Sequence, residues 1–123
     1  MGQMDQLEKV VKTPGISGRE KTISKLLKEC YAPYCDEIIY DNLGSIYAVV
    51  KSEKENPATV LVTAHMDELG FIVKKIEENG LIRGLIMGKI EPNSLLGQEV
   101  HLYNRQGKTF PGVILGQNKA NQV

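Results

Sequence analysis

Every stretch whose apolar residues recur at spacings of three and four lies before Pro33; after it no helical period returns. This one switch sets the order of elements: two helices, a few strands of an α/β layer, then a run of small antiparallel strands. Residues 4–12 place Met4, Leu7, Val10 and Val11 on one helical face, and Thr13-Pro14-Gly15 stops that helix. Ser17-Gly18-Arg19-Glu20 has the form of a capping box, with Ser17 as cap and Glu20 reaching back. It predicts a second helix over residues 18–32, with Ile23, Leu26, Leu27 and Cys30 facing inward and Pro33 limiting its end.

The strand pattern follows. Residues 37–40 and 45–50 read as two strands around the turn Asp41-Asn42-Leu43-Gly44. Residues 52–57 form a charged surface loop. Residues 58–64, Ala-Thr-Val-Leu-Val-Thr-Ala, are almost continuously apolar or β-branched and predict a strand buried on both faces of a helix-covered sheet. Residues 70–76 and 81–87 flank Asn79-Gly80, a hairpin signal. Residues 97–103 and 109–115 read as a second hairpin around Arg105-Gln106-Gly107-Lys108. The polar tail, 116–123, is expected to fray.

Charge and composition narrow the function. The 123 residues carry 15 basic and 15 acidic side chains, so no long-range field favours nucleic acid or an anionic membrane. No apolar run approaches the roughly 20 residues of a membrane span. The start MGQMDQLEKVV has no basic patch followed by an apolar stretch, which argues against a secretory signal. Cys30 and Cys35, five apart, match neither a redox nor a zinc spacing; they read as two free thiols in a reducing, cytoplasmic compartment. No phosphate loop and no nucleophile elbow occurs.

One dense constellation remains, Thr63-Ala64-His65-Met66-Asp67-Glu68. It follows the run expected to be buried, and open α/β sheets bind ligands beyond the carboxyl ends of their strands. His65 and Asp67 are two apart, so in extended backbone they point to the same side. The carboxylate can then accept from one imidazole nitrogen and leave the other for a metal. The competing reading is a surface histidine beside acidic neighbours. A single histidine is also short of the three protein ligands a catalytic zinc takes. His101 alternates with Val100 and Leu102 and reads as the polar face of a strand; Glu77 and Glu78 read as solvated charge in a turn.

Four blocks together carry a resemblance: Thr13-Pro14-Gly15-Ile16-Ser17-Gly18-Arg19-Glu20, Asp41-Asn42-Leu43-Gly44-Ser45, Thr63-Ala64-His65-Met66-Asp67-Glu68-Leu69-Gly70-Phe71, and Leu96-Gly97-Gln98-Glu99-Val100. In this order the chain, from about Leu7 to Gly112, resembles the N-terminal part of the glutamyl aminopeptidase and tetrahedral aminopeptidase family of dinuclear-metal exopeptidases. Some members of that family were labelled cellulases.

The resemblance implies an α/β catalytic domain with a mixed central sheet, its N-terminal part at residues 1–69. It implies the first part of an inserted small antiparallel β-barrel, used in assembly, at 70–115, and it leaves a non-matching tail at 116–123. It further implies a site with two divalent ions, zinc or cobalt, that activates a bridging water for attack on the first peptide bond of a short peptide. Residue by residue, His65 matches the first metal ligand and Asp67 the carboxylate that orients it; Glu68 belongs to the same block. The family's bridging aspartate, its catalytic glutamate and its other ligands have no counterpart here. The expectation is therefore a truncated metallo-aminopeptidase that binds metal weakly or not at all and assembles as a homo-oligomer. The alternative is a self-associating chain without catalysis. A glycanase, as in the old labels, is a weaker alternative, since it needs paired carboxylates flanking a sugar groove.

Overall fold

The structure is a computed structural model that describes residues 2–116. These divide into two compact units, one up to Glu68 and one from Leu69. Among the described residues, no helix is long and apolar enough to cross a membrane.

The first unit opens with α1, Gln3–Lys12. Asp5 reaches back to accept from the Gly2 N–H at 2.9 Å and occupies the positive first turn. Thr13 ends the helix, its N–H donating to the Val10 carbonyl at 3.2 Å. The expected apolar face is present but poorly covered: Met4, Leu7 and Val11 are exposed and Val10 is half-buried.

Helix α2 spans Lys21–Tyr31 and continues as a short 3-10 helix at Ala32–Tyr34. Its inner face is the expected one. Ile23 is 3 % exposed, and Leu26, Leu27 and Cys30 are half-buried beside it. The expected capping box does not form. Glu20 takes the N-cap position, the Ser17 hydroxyl is engaged elsewhere, and Glu20 Oε1 accepts from the Gly18 N–H at 2.6 Å. The helix thus starts three residues later than a Ser17 cap requires, and Gly18, at φ +79°, turns the chain in between.

Strands β1, Glu37–Tyr40, and β2, Ile46–Val49, form an antiparallel hairpin with Tyr40 opposite Ile46. Asp41 organises its turn. Oδ1 accepts from the N–H groups of Leu43 and Ser45 at 2.9 and 2.8 Å, and Oδ2 accepts from the Tyr47 hydroxyl at 3.1 Å. Helix α2 packs on β2 and on α1.

Residues 58–64 correct the sequence reading. They join no ladder, and Val60, Leu61 and Val62 are 81, 69 and 89 % exposed. A strand buried on both faces needs a sheet neighbour at each edge and a layer on each side; the described residues supply neither. In place of the expected mixed central sheet, the described residues of this unit form one two-stranded antiparallel ribbon, β1–β2.

The second unit is two separate antiparallel hairpins, and no closed barrel forms among the described residues. Strand β3, Gly70–Ile76, pairs with β4, Ile82–Met87, with a bulge between Val73 and Lys75. Asn79-Gly80 makes the connection as expected, Gly80 at φ +84°. Glu77, expected to be solvated, is instead paired with Lys75 at 2.5 Å and Arg83 at 2.6 Å. These cations hold its carboxyl below the ordinary glutamate value.

Strand β5, Glu99–Tyr103, pairs with β6, Thr109–Val113. His101 lies on the exposed side of β5, opposite Pro111, while Val100 and Leu102 turn inward, as their alternation predicts. Leu95 and Ile114, each 7 % exposed, are the buried apolar residues of this unit. A 3-10 turn at Pro92–Ser94 is its only helical piece among the described residues. The expected frayed tail falls, apart from Gly116, outside the described residues.

Candidate functional site

The segment carrying His65 is anchored from its far end, not by a strand before it. Ile16 and Glu68 form an isolated parallel bridge. The Glu68 N–H donates to the Gly15 carbonyl at 2.8 Å, and the Gly15 N–H donates to Glu68 Oε1 at 2.9 Å. One residue thus clasps the loop between α1 and α2 with its backbone and its side chain together. Gly15 is itself buried against Ile23.

This clasp brings Asp67 onto the same loop, where the Ser17 hydroxyl donates to Asp67 Oδ2. On the other side, His65 Nδ1 lies 3.0 Å from Asp67 Oδ1 and 2.9 Å from the Asp67 backbone carbonyl. An ionised carboxylate and a carbonyl are acceptors only, so Nδ1 carries the proton and Nε2 keeps a free lone pair. The His65 side chain is 85 % exposed and that of Asp67 38 %. The Ser17 hydroxyl first, and then the His65 ring, hold the Asp67 carboxyl below the ordinary aspartate range, while burial works the other way. The carboxylate therefore stays ionised, and stays an acceptor, throughout the neutral range.

An imidazole held in this tautomer by a carboxylate has the chemistry of a metal ligand with its orienting partner. It fits one corner of a catalytic metal centre and not the whole. Among the described residues no group of three or more His, Cys, Asp or Glu side chains could hold a metal ion. Glu68 is engaged in the clasp, and His101 belongs to the second unit.

Residue spacing correctly brings His65 and Asp67 together. It misses Ser17, whose short-range reading as a helix cap competes with a contact 50 residues away. It misses the Glu68–Gly15 clasp as well. The ordered blocks were the available signal, since Gly15, Ser17 and Glu68 all lie within them.

Residues 44–122, more than half of the chain, match the family model described as M42 glutamyl aminopeptidase; the match runs past Leu115 into the tail. Lysyl aminopeptidase of Pyrococcus furiosus is 30 % identical over 115 residues, which cover 93 % of this chain and 32 % of that protein. Glutamyl aminopeptidase of Lactococcus lactis subsp. cremoris is 32 % identical over 116 residues, covering 94 % and 33 %. Among solved structures, a TET aminopeptidase from the marine sediment archaeon Thaumarchaeota archaeon SCGC AB-539-E09 superposes with a TM-score of 0.83 at 31 % identity, over 91 % of this chain and 31 % of that one. The chain spans about a third of the length of the curated relatives it matches. By this family match, which covers more than half of its residues, the chain belongs to the M42 glutamyl aminopeptidase family.

Proposed function

We propose that this chain contributes one metal ligand, His65, and its orienting carboxylate, Asp67, to a metal-dependent aminopeptidase that removes N-terminal residues from short peptides. The observation that carries the reading is the His65 ring, its Nδ1 held by two acceptor oxygens of Asp67 and the lone pair of its Nε2 left for a metal. A pair of divalent ions, zinc or cobalt, would when bound supply Lewis acidity and a water acidic enough to attack at neutral pH. The part played by the chain's own residues is to fix the ring's direction and keep its proton on Nδ1. The other ligands and the general base come from outside the described residues. On this reading residues 1–69 are the N-terminal part of the catalytic α/β domain and 70–115 the first part of the inserted assembly domain, with the family match running on into the tail.

Isothermal titration of the chain with zinc, alongside turnover of a leucine or glutamate anilide, tests the reading. Weak zinc binding that is lost in His65→Ala, with no turnover above the metal blank, is the expected result. Zinc binding unaffected by His65→Ala would remove His65 as a ligand. Submicromolar binding with turnover would mean that a second copy completes the site.

A second reading, self-association without catalysis, is favoured by the exposed Val60-Leu61-Val62 run and by three two-stranded ribbons whose outer edges pair with no further strand among the described residues. Such edges and apolar faces recruit other chains.

A further inference from the structure

Ser17 is not needed to close the turn it sits in. The Arg19 N–H already closes that turn on the Ile16 carbonyl at 2.8 Å. The Ser17 hydroxyl reaches instead to Asp67 Oδ2, 50 residues along the chain. The two carboxylate oxygens of Asp67 are therefore divided, Oδ2 taking the serine proton and Oδ1 facing His65 Nδ1. The terminal torsion of an aspartate is broad and soft. A donor on Oδ2 fixes the plane of the carboxylate, and with it the direction in which Oδ1 meets the ring. The register that makes this possible is set on both sides of Ile16. Gly15 is clasped to Glu68, Ile16 is bridged to Glu68, and Ser17 meets Asp67.

We infer that Ser17 is a positioning residue for the site: by locking the Asp67 carboxylate it keeps the His65 proton on Nδ1 and the Nε2 lone pair free. The inference rests on the reading of His65 and Asp67 as ligand and orienter.

The test is the tautomer of His65 in the metal-free, 15N-labelled chain. It is read by two-bond 1H–15N correlation at a pH about two units above the ordinary imidazole pKa. In the unmodified chain His65 is expected as the Nδ1–H form. In Ser17→Ala the ratio of Nδ1–H to Nε2–H should fall about fivefold, the population change that one ordinary net hydrogen bond sets. Ser17→Thr, which keeps the hydroxyl, should restore it. Ser17→Cys, of similar shape and a weaker donor, should repeat the fall and stands in if the alanine variant does not fold. His101, in the second unit, should keep its ratio in every variant.

An unchanged His65 ratio in both Ser17→Ala and Ser17→Cys would overturn the role of Ser17 and leave the His65–Asp67 pair standing. A His65 that is mainly Nε2–H in the unmodified chain would overturn that pair, and the inference with it. A parallel change at His101 would mark a general loss of structure and count against a positioning role.

Discussion

Gly15 is the tightest point of the loop that carries the site, and filling it should be costly in a way one further substitution can undo. A Cβ at Gly15 would lie 2.6 Å from Ile23 Cγ2, far inside van der Waals contact, and 3.2 Å from Ile23 Cβ, a few tenths of an ångström too close. Ile23 is 3 % exposed and sits in α2, where a β-branched side chain has essentially one χ1 well. It cannot swing aside, so the loop must move. Overpacking of this kind costs about 1–3 kcal/mol. The loss of glycine's freedom in the unfolded chain offsets about 0.4–1 kcal/mol. Taking midpoints, Gly15→Ala should destabilise the first unit by about 1.3 kcal/mol. Ile23→Leu moves the branch from Cβ to Cγ, which removes the clashing Cγ2 methyl, and by itself should cost less than about 1.5 kcal/mol. In that background Gly15→Ala should be close to neutral, a coupling of about 1 kcal/mol, within the range found for side chains in contact. Urea unfolding of the four proteins of this cycle, at constant m, measures it. A neutral Gly15→Ala, or a cost that is the same with and without Ile23→Leu, would refute the argument.

Two further outcomes follow from the same structure. The Ser45 hydroxyl and N–H, with the Leu43 N–H and the Tyr47 hydroxyl, hold the Asp41 carboxyl below its ordinary value. Its folded pKa lies below its unfolded one, so its stabilisation is present above about pH 4 and is lost as pH falls through the folded value. Urea midpoints taken down through this range should fall less steeply for Asp41→Asn than for the unmodified chain; parallel curves would count against the assignment. Leu61→Lys places a charge in the exposed 60–62 run and should lower the mass seen by light scattering at high concentration. A clean monomer before the substitution would remove the self-association reading.

Local signals in the sequence translated well into elements. Apolar spacing in α2 put Ile23, Leu26, Leu27 and Cys30 on its inner face, and Asn79-Gly80 marked the β3–β4 turn. These depend on residues within a turn or two of each other. The reading of 58–64 as a buried strand failed for the complementary reason, because an apolar run states a requirement for neighbours and cannot supply them. The capping box failed through competition: Ser17 could accept from the N–H groups of the nearby helix start, but its hydroxyl instead donates to the distant carboxylate of Asp67. For the site, the His65–Asp67 spacing suffices because the contact is local. Its supports, Ser17 and Glu68, are invisible to spacing because their partners are 50 and 53 residues away.

That separation bears on the order in which the molecule assembles. Helices α1 and α2 and the β1–β2 hairpin close over short stretches and can form early. The Glu68–Gly15 clasp must close a loop of 53 residues, an entropy cost of about 3.5 kcal/mol from the logarithmic dependence on loop length. No single hydrogen bond there repays it. The Ile16 bridge, the two Gly15–Glu68 bonds and the Ser17–Asp67 contact have to arrive together. A chain halted before that step has its helices and its hairpin while the His65 segment still hangs loose, so the Ser17–Asp67 contact reports that folding of the first unit has finished.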